Sequence, residues 1–247
     1  MRLRSIGLLC LSLLLIGCSS RAPLTVAAAA SMQRPLQAIA AAFTKQTGQA
    51  VTLSFGATGT LAAQIEQGAP FDLFLAANES TPKQLSDKGL LDGAQRYATG
   101  QIVLAVAKRV NLSVSTLQDL TRTEIKRIAI ANPDQAPYGK AAIDALKAAG
   151  VWTQVQSKIV MGENIRQTAQ FVESGNAEVG LLARSDADSA TLSITPIPGN
   201  LYAPIHQALG IIKGSPHEAV AKQFAQFMTT TEAKAILDQY GFALPPN

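Results

Sequence analysis

A chain of 247 residues with 47% hydrophobic and 5% aromatic residues has material for one large core or two smaller ones, and too few rings for a nucleic-acid stacking surface. Its formal charge of +4 comes from 21 basic and 17 acidic residues, the basic ones scattered singly with no Lys/Arg run. Without Arg2 and Arg4 at the N-terminus the charge is about +2, too small to argue for a nucleic acid or other polyanion as partner.

Met1-Arg2-Leu3-Arg4 is a basic head, and Ile6 to Ile16 is an apolar run too short for a stable bilayer anchor. Leu15-Ile16-Gly17-Cys18 closes it in a pattern that resembles a bacterial lipoprotein signal, in which the cysteine becomes lipidated and N-terminal. The expected organisation is a signal peptide over 1–17, lipidation at Cys18, a short tether over 18–23, and a folded part outside the cytoplasm. Cys10 is lost with the leader, so that folded part has no disulfide, cysteine metal site or cysteine nucleophile.

From Leu24 onward β-like runs and helical stretches alternate, the pattern of βαβ units and parallel sheets covered by helices. A strand over 24–29 ends at Ala30-Ser31, and the next helix has Pro35 near its start, Leu36, Ile39 and Phe43 on one face, and Gly48 at its end. Val51 to Phe55 is a second strand. It runs through Gly56-Ala57-Thr58-Gly59-Thr60 into a helix from Leu61 to Gly68. That turn combines glycine freedom, two hydroxyls at Thr58 and Thr60, and helix-start amides, which together suit a small anion; an ordinary capped βα turn has the same composition.

A strand over 71–76 and a helix over 81–90 follow, and the apolar run 102–107 carries the chain into a second lobe. Ile128 to Ala131 starts a new series. Asn132-Pro133 to Pro137-Tyr138-Gly139 is a loop before a helix ending at Gly150, and Asn164 caps another helix, with Gln167 placed to complete a capping box. Val179 to Ala183 is a buried strand, and 202–212 leads back to the first lobe. Ser215, Pro216 and Glu218 form a helix start with Ser215 as cap, and Thr231 to Gln239 is the last helix. The fold class is therefore α/β with two lobes, 24–101 plus 208–247 and 102–207. Four βα junctions, at Ser31, Thr58, Tyr138 and Ile165, point into the cleft between them.

Ala28 to Ser31, Ser54-Phe55-Gly56-Ala57-Thr58-Gly59-Thr60-Leu61 with Gln64 to Pro70, Asn132-Pro133 with Ala136 to Gly139, Gly162 to Gln167, and Gln239 to Phe242 occur in a joint order and spacing that resembles the periplasmic molybdate-binding proteins of ABC importers. The resemblance runs from about Leu24 to Phe242. It implies a two-lobed periplasmic binding protein fold holding one tetrahedral oxyanion, molybdate or tungstate, with no cofactor, and delivering it to an ABC permease in the membrane. Carried over position by position, the ligand hydroxyls are those of Ser31 and Thr58, the latter a threonine where serine is usual, and the ligand amides are the backbone N–H groups of Tyr138 and Ile165. A tyrosine that some members use falls on Ala183, which has no hydroxyl. A monomer tethered by its lipid is expected.

The residue chemistry agrees, because hydroxyls and helix-start amides can hold a dianion without a salt bridge, and a donor-only site disfavours protonated oxyanions. Arg34, Lys140 and Arg166 near these loops are candidates for long-range attraction. Removing both hydroxyls, Ser31→Ala with Thr58→Val, is expected to lose most of the affinity and leave ligand-free melting unchanged. A binding protein for sulfate, phosphate or a small organic acid is the competing reading. A regulator's effector domain lacks support, since no helix-turn-helix is present. For catalysis, His206 reads as a core residue, His217 as exposed, and Asp72 has no acid–base partner in sequence; no nucleophile-elbow, HExxH or phosphate-loop motif occurs.

Overall fold

A computed structural model describes residues 22–245; the expected signal peptide and Cys18 lie outside the described residues. The first lobe opens β1 (Leu24–Ala29), α1 (Gln33–Thr47), β2 (Val51–Gly56), α2 (Thr58–Glu66), β3 (Leu73–Ala76), α3 (Ser80–Asp87) and β4 (Leu91–Gly100). The second holds β5 (Ile102–Ala107), β6 (Ile128–Ala131), α4 (Pro137–Ala148), α5 (Trp152–Val155), β7 (Ile159–Gly162), α6 (Ile165–Ser174), β8 (Val179–Ala183) and β9 (Leu192–Pro196). β10 (Ile205–Ile212), α7 (Glu218–Phe227) and α8 (Thr231–Gln239) complete the chain.

The strands form two five-stranded sheets, ordered β2-β1-β3-β10-β4 and β7-β6-β8-β5-β9. In each, three strands run parallel and the other two join through antiparallel pairings. The chain passes from one sheet to the other at Gln101 and returns between β9 and β10. β10 pairs with β4 from Ile205 and with β3 from Ala208, so the strand begins before the position 208 expected from sequence.

Local chemistry explains the elements. α1 buries Leu36, Ile39 and Phe43 and ends where Gly48 takes the left-handed conformation at φ 71°. The Phe43 ring meets Phe224 and Phe227 edge-on, centroids 5.0 and 5.5 Å apart, joining α1 to α7 with about 0.5–1.5 kcal/mol per pair beyond the area buried. Asn164 caps α6, its side chain accepting from the N–H groups of Arg166 and Gln167. Gln167 reaches back to the N–H of Glu163, one residue before the cap, so the expected capping box is displaced.

Ser215 is not the cap of α7. Its hydroxyl donates to Asp72 and accepts from His217 N–H, and α7 starts at Glu218. Asp72 also has the acid–base partner that sequence did not reveal: His217 Nδ1 lies 3.1 Å from its carboxylate, and Thr25 N–H donates to its other oxygen. Because Ser215 gives its proton to Asp72 rather than to the histidine, this trio ties β3 to β1 and the approach to α7 and has no activated nucleophile.

Candidate functional site

The C-terminal ends of β1, β2, β6 and β7 lead into the Ser31, Thr58, Tyr138 and Ile165 junctions, and these enclose one small cavity between the sheets. Ser31, Thr58, Tyr138 and Ile165 all line it, with Ala29, Ala30, Gly56, Ala57, Ala77 and Asn164 among their neighbours. Its volume is about 10 Å³, on a scale where one water needs about 10–15 Å³. No charged side chain lines it. A cleft of about 260 Å³ opens beside it and shares Ala77, Ala136 and Pro137, but the buried hydroxyls and the helix starts converge in the smaller cavity.

The donors are set by the local fold. Thr58 is the first residue of α2, three positions earlier than the pattern from Leu61 indicated, because Ala57 holds the extended conformation that starts the helix. Thr58 Oγ1 accepts from Ala77 N–H at 3.0 Å, which leaves its own hydrogen to donate. Ser31 Oγ, equally buried, has no hydrogen-bond partner. Tyr138 and Ile165 stand in the first turns of α4 and α6, and neither N–H enters a backbone hydrogen bond among the described residues. Four donors thus face one space.

Gly56 and Gly59 are not in the left-handed region, so the turn does not need glycine for its dihedrals. Gly59 is needed for proximity. Its N–H donates to Gln135 O of the second lobe at 2.9 Å, and a Cβ there would lie 2.5 Å from Gln135 Oε1. Two side chains join the lobes further in. Ser185 Oγ donates to Ser31 O at 2.8 Å, and Gln207 Nε2 donates to Tyr138 Oη at 2.9 Å. Apolar contact continues across the same divide, since the second lobe's core includes Ala29, Ala30, Ala57 and Ala77 of the first.

Several expected contributors lie elsewhere. Thr60 and Ala183 do not line the cavity; Ala183 is wholly buried among apolar side chains at the end of β8. Arg34, Lys140 and Arg166 are paired with Asp188, Asp144 and Glu173 at 3.8, 2.9 and 2.9 Å. The double substitution is not silent in the absence of ligand either, because Thr58→Val strands the buried N–H of Ala77. Asp186, in the turn after β8, escaped sequence reasoning. Burial pushes its carboxyl up to about 7 against the pull of Arg166 and Arg34, and Glu173 adds to the rise. Burial likewise raises the Tyr138 phenol well above its usual range. Among the described residues no cluster of His, Cys, Asp and Glu can hold a metal cation.

Residues 24–243 match the family described as bacterial extracellular solute-binding protein. The molybdate-binding protein ModA of Azotobacter vinelandii is 36% identical over 237 residues, covering 93% of this chain and 94% of that one. A putative ABC transporter substrate-binding lipoprotein of Bacillus subtilis, YvgL, is 33% identical over 246 residues, covering 93% of each. The solved structure of the Azotobacter vinelandii periplasmic molybdate-binding protein superimposes with a TM-score of 0.86 at 34% identity, covering 90% of this chain and all of that one.

Proposed function

The chain belongs to the bacterial extracellular solute-binding protein family, and from that premise we propose that it captures molybdate, and also tungstate, outside the cytoplasmic membrane for an ABC importer. It is a solute-binding protein and not an enzyme, and its oxyanion is a ligand rather than a cofactor. The observation that carries the reading is the convergence of two buried hydroxyls and two unpaired helix-start amides on one uncharged cavity.

In this reading Ser31 and Thr58 donate from the first lobe, residues 24–101 and the chain from β10 onward. The backbone N–H groups of Tyr138 and Ile165 donate from the second, and nothing is contributed by Ala183. A tetrahedral dianion has acceptors on all four oxygens, so four neutral donors satisfy it while helix dipoles supply favourable potential. A ligand that keeps a proton meets only donors and leaves that proton unpaired. Ligand bridging both lobes favours the closed arrangement. The lipoprotein-like signal, with Cys18 as the lipidated residue, and the lipoprotein relative support a monomer tethered at the membrane beside its permease.

Calorimetric titration of the protein with molybdate, tungstate, sulfate and phosphate tests the reading. One-to-one binding of the first two alone is expected. Binding of sulfate or phosphate alone transfers the protein to another importer.

A further inference from the structure

The cavity's hydroxyls belong to a longer buried chain. Tyr97 of β4 donates its O–H to Gln207 Oε1 at 3.1 Å, and Gln207 of β10, wholly buried, donates through Nε2 to Tyr138 Oη at 2.9 Å. The next hydroxyl is Ser31 Oγ, which lines the same cavity as Tyr138 and is buried with no hydrogen-bond partner. Gly100, at the crossing between the sheets, makes room for the chain: a Cβ there would collide with Tyr138 Oη and lie 2.9 Å from Gln207 Nε2.

Direction matters in such a chain. An amide nitrogen only donates and an amide oxygen only accepts, so once Tyr97 has given its proton to Gln207 Oε1, the amide has one orientation and Tyr138 Oη is an acceptor on that side. The phenol proton must then point away from Gln207. We propose that Gln207 and Tyr138 are positioning residues for oxyanion binding: together with Tyr97 they turn the phenol proton toward Ser31 Oγ, so that Ser31 has its own proton free for the ligand. The proposal deepens the oxyanion reading and rests on it. It also gives the Tyr138 side chain a role separate from its backbone N–H, and it strengthens the hydroxyl donor in a site that has none at Ala183.

A double-mutant cycle on the full-length protein, titrated with molybdate, tests this. Tyr138→Phe keeps the ring and the backbone donor and is expected to weaken binding about five- to tenfold, the worth of one neutral hydrogen bond. Ser31→Ala weakens it as well. If the phenol acts through Ser31, the double variant binds no more weakly than Ser31→Ala alone. Losses that multiply, or a Tyr138→Phe chain that binds like the parent, overturn the relay and leave the molybdate reading standing. A parent that does not bind molybdate overturns both. Should Tyr138→Phe fail to fold, Gln207→Met replaces it: the thioether cannot donate to Tyr138 Oη as the amide does, so the phenol proton is no longer turned toward Ser31, and the resulting loss also disappears in the Ser31→Ala background. Persistence of that loss there counts against the relay.

Discussion

Replacing Asp186 by Asn should remove the loss of stability that this buried carboxyl imposes as pH rises from about 4 to about 7. Asp186 is 1% exposed, its Oδ2 has no hydrogen-bond partner, and the charged groups around it are Arg34 on α1 and Arg166 and Glu173 on α6. Burial raises its folded pKa from 3.8 to about 7. Below pH 4 the group is neutral in both folded and unfolded chains and contributes no difference. Between pH 4 and 7 the unfolded chain releases the proton and the folded one keeps it, so stability falls by about 1.4 kcal/mol per pH unit; above 7 the penalty is constant. Three units amount to about 4 kcal/mol, or about half that if the surroundings relax on ionisation. The Asn variant is neutral throughout. Denaturant midpoints for parent and variant should nearly coincide at pH 4 and differ at pH 8, the variant being more stable by about 2–4 kcal/mol. An equal difference at both pH values would refute the reasoning and show that Arg166 and Arg34 keep the carboxylate ionised.

The two cavity hydroxyls should separate in a comparison of single variants. Ser31→Ala loses ligand affinity with less effect on ligand-free melting than Thr58→Val, since Ser31 Oγ takes no backbone N–H, whereas Thr58→Val loses affinity and also about 1–3 kcal/mol of stability through the stranded Ala77 N–H; identical melting of the two variants would contradict this. Gly59→Ala should obstruct closure, weakening binding about tenfold while the ligand-free chain melts normally. Gln135→Ser in the same chain should recover part of the loss, because Gln135 Oε1 is the atom 2.5 Å from the new Cβ; calorimetry on the three proteins decides it.

Sequence reading located most of the parallel strands and all four βα junctions, because buried parallel strands leave apolar runs and helix starts leave Ser, Thr, Asn and Pro. It missed β4 and β9. Each stands at a sheet edge with one antiparallel neighbour, and the polar central part of β4, Asp92 to Arg96, is exposed and carries no alternation. The start of α2 is hard to place from sequence because Ala57 at the cap has no capping side chain and Gly59 is a poor helix former. The site's inner support was invisible for another reason. Ser185 meets Ser31 across 154 positions, and Gln207 meets Tyr138 across 69 and Tyr97 across 110, so no local pattern links them. Asp186, three residues past the end of β8, has no local pattern that marks its carboxyl as buried.

The absence of any charged side chain on the cavity wall bears on how cargo leaves. A site that held its anion by a lysine or a histidine would have to exchange a proton or a counter-ion at release. Here the ligand's whole charge adds to that of the chain, and from a carrier of about +2 without its leader a bound dianion makes one close to electrically neutral. Nothing in the wall has to change its protonation for the ion to go. On the proposed site, parting the lobes would withdraw half the donors and admit water in their place, which would make unloading at a permease a mechanical act.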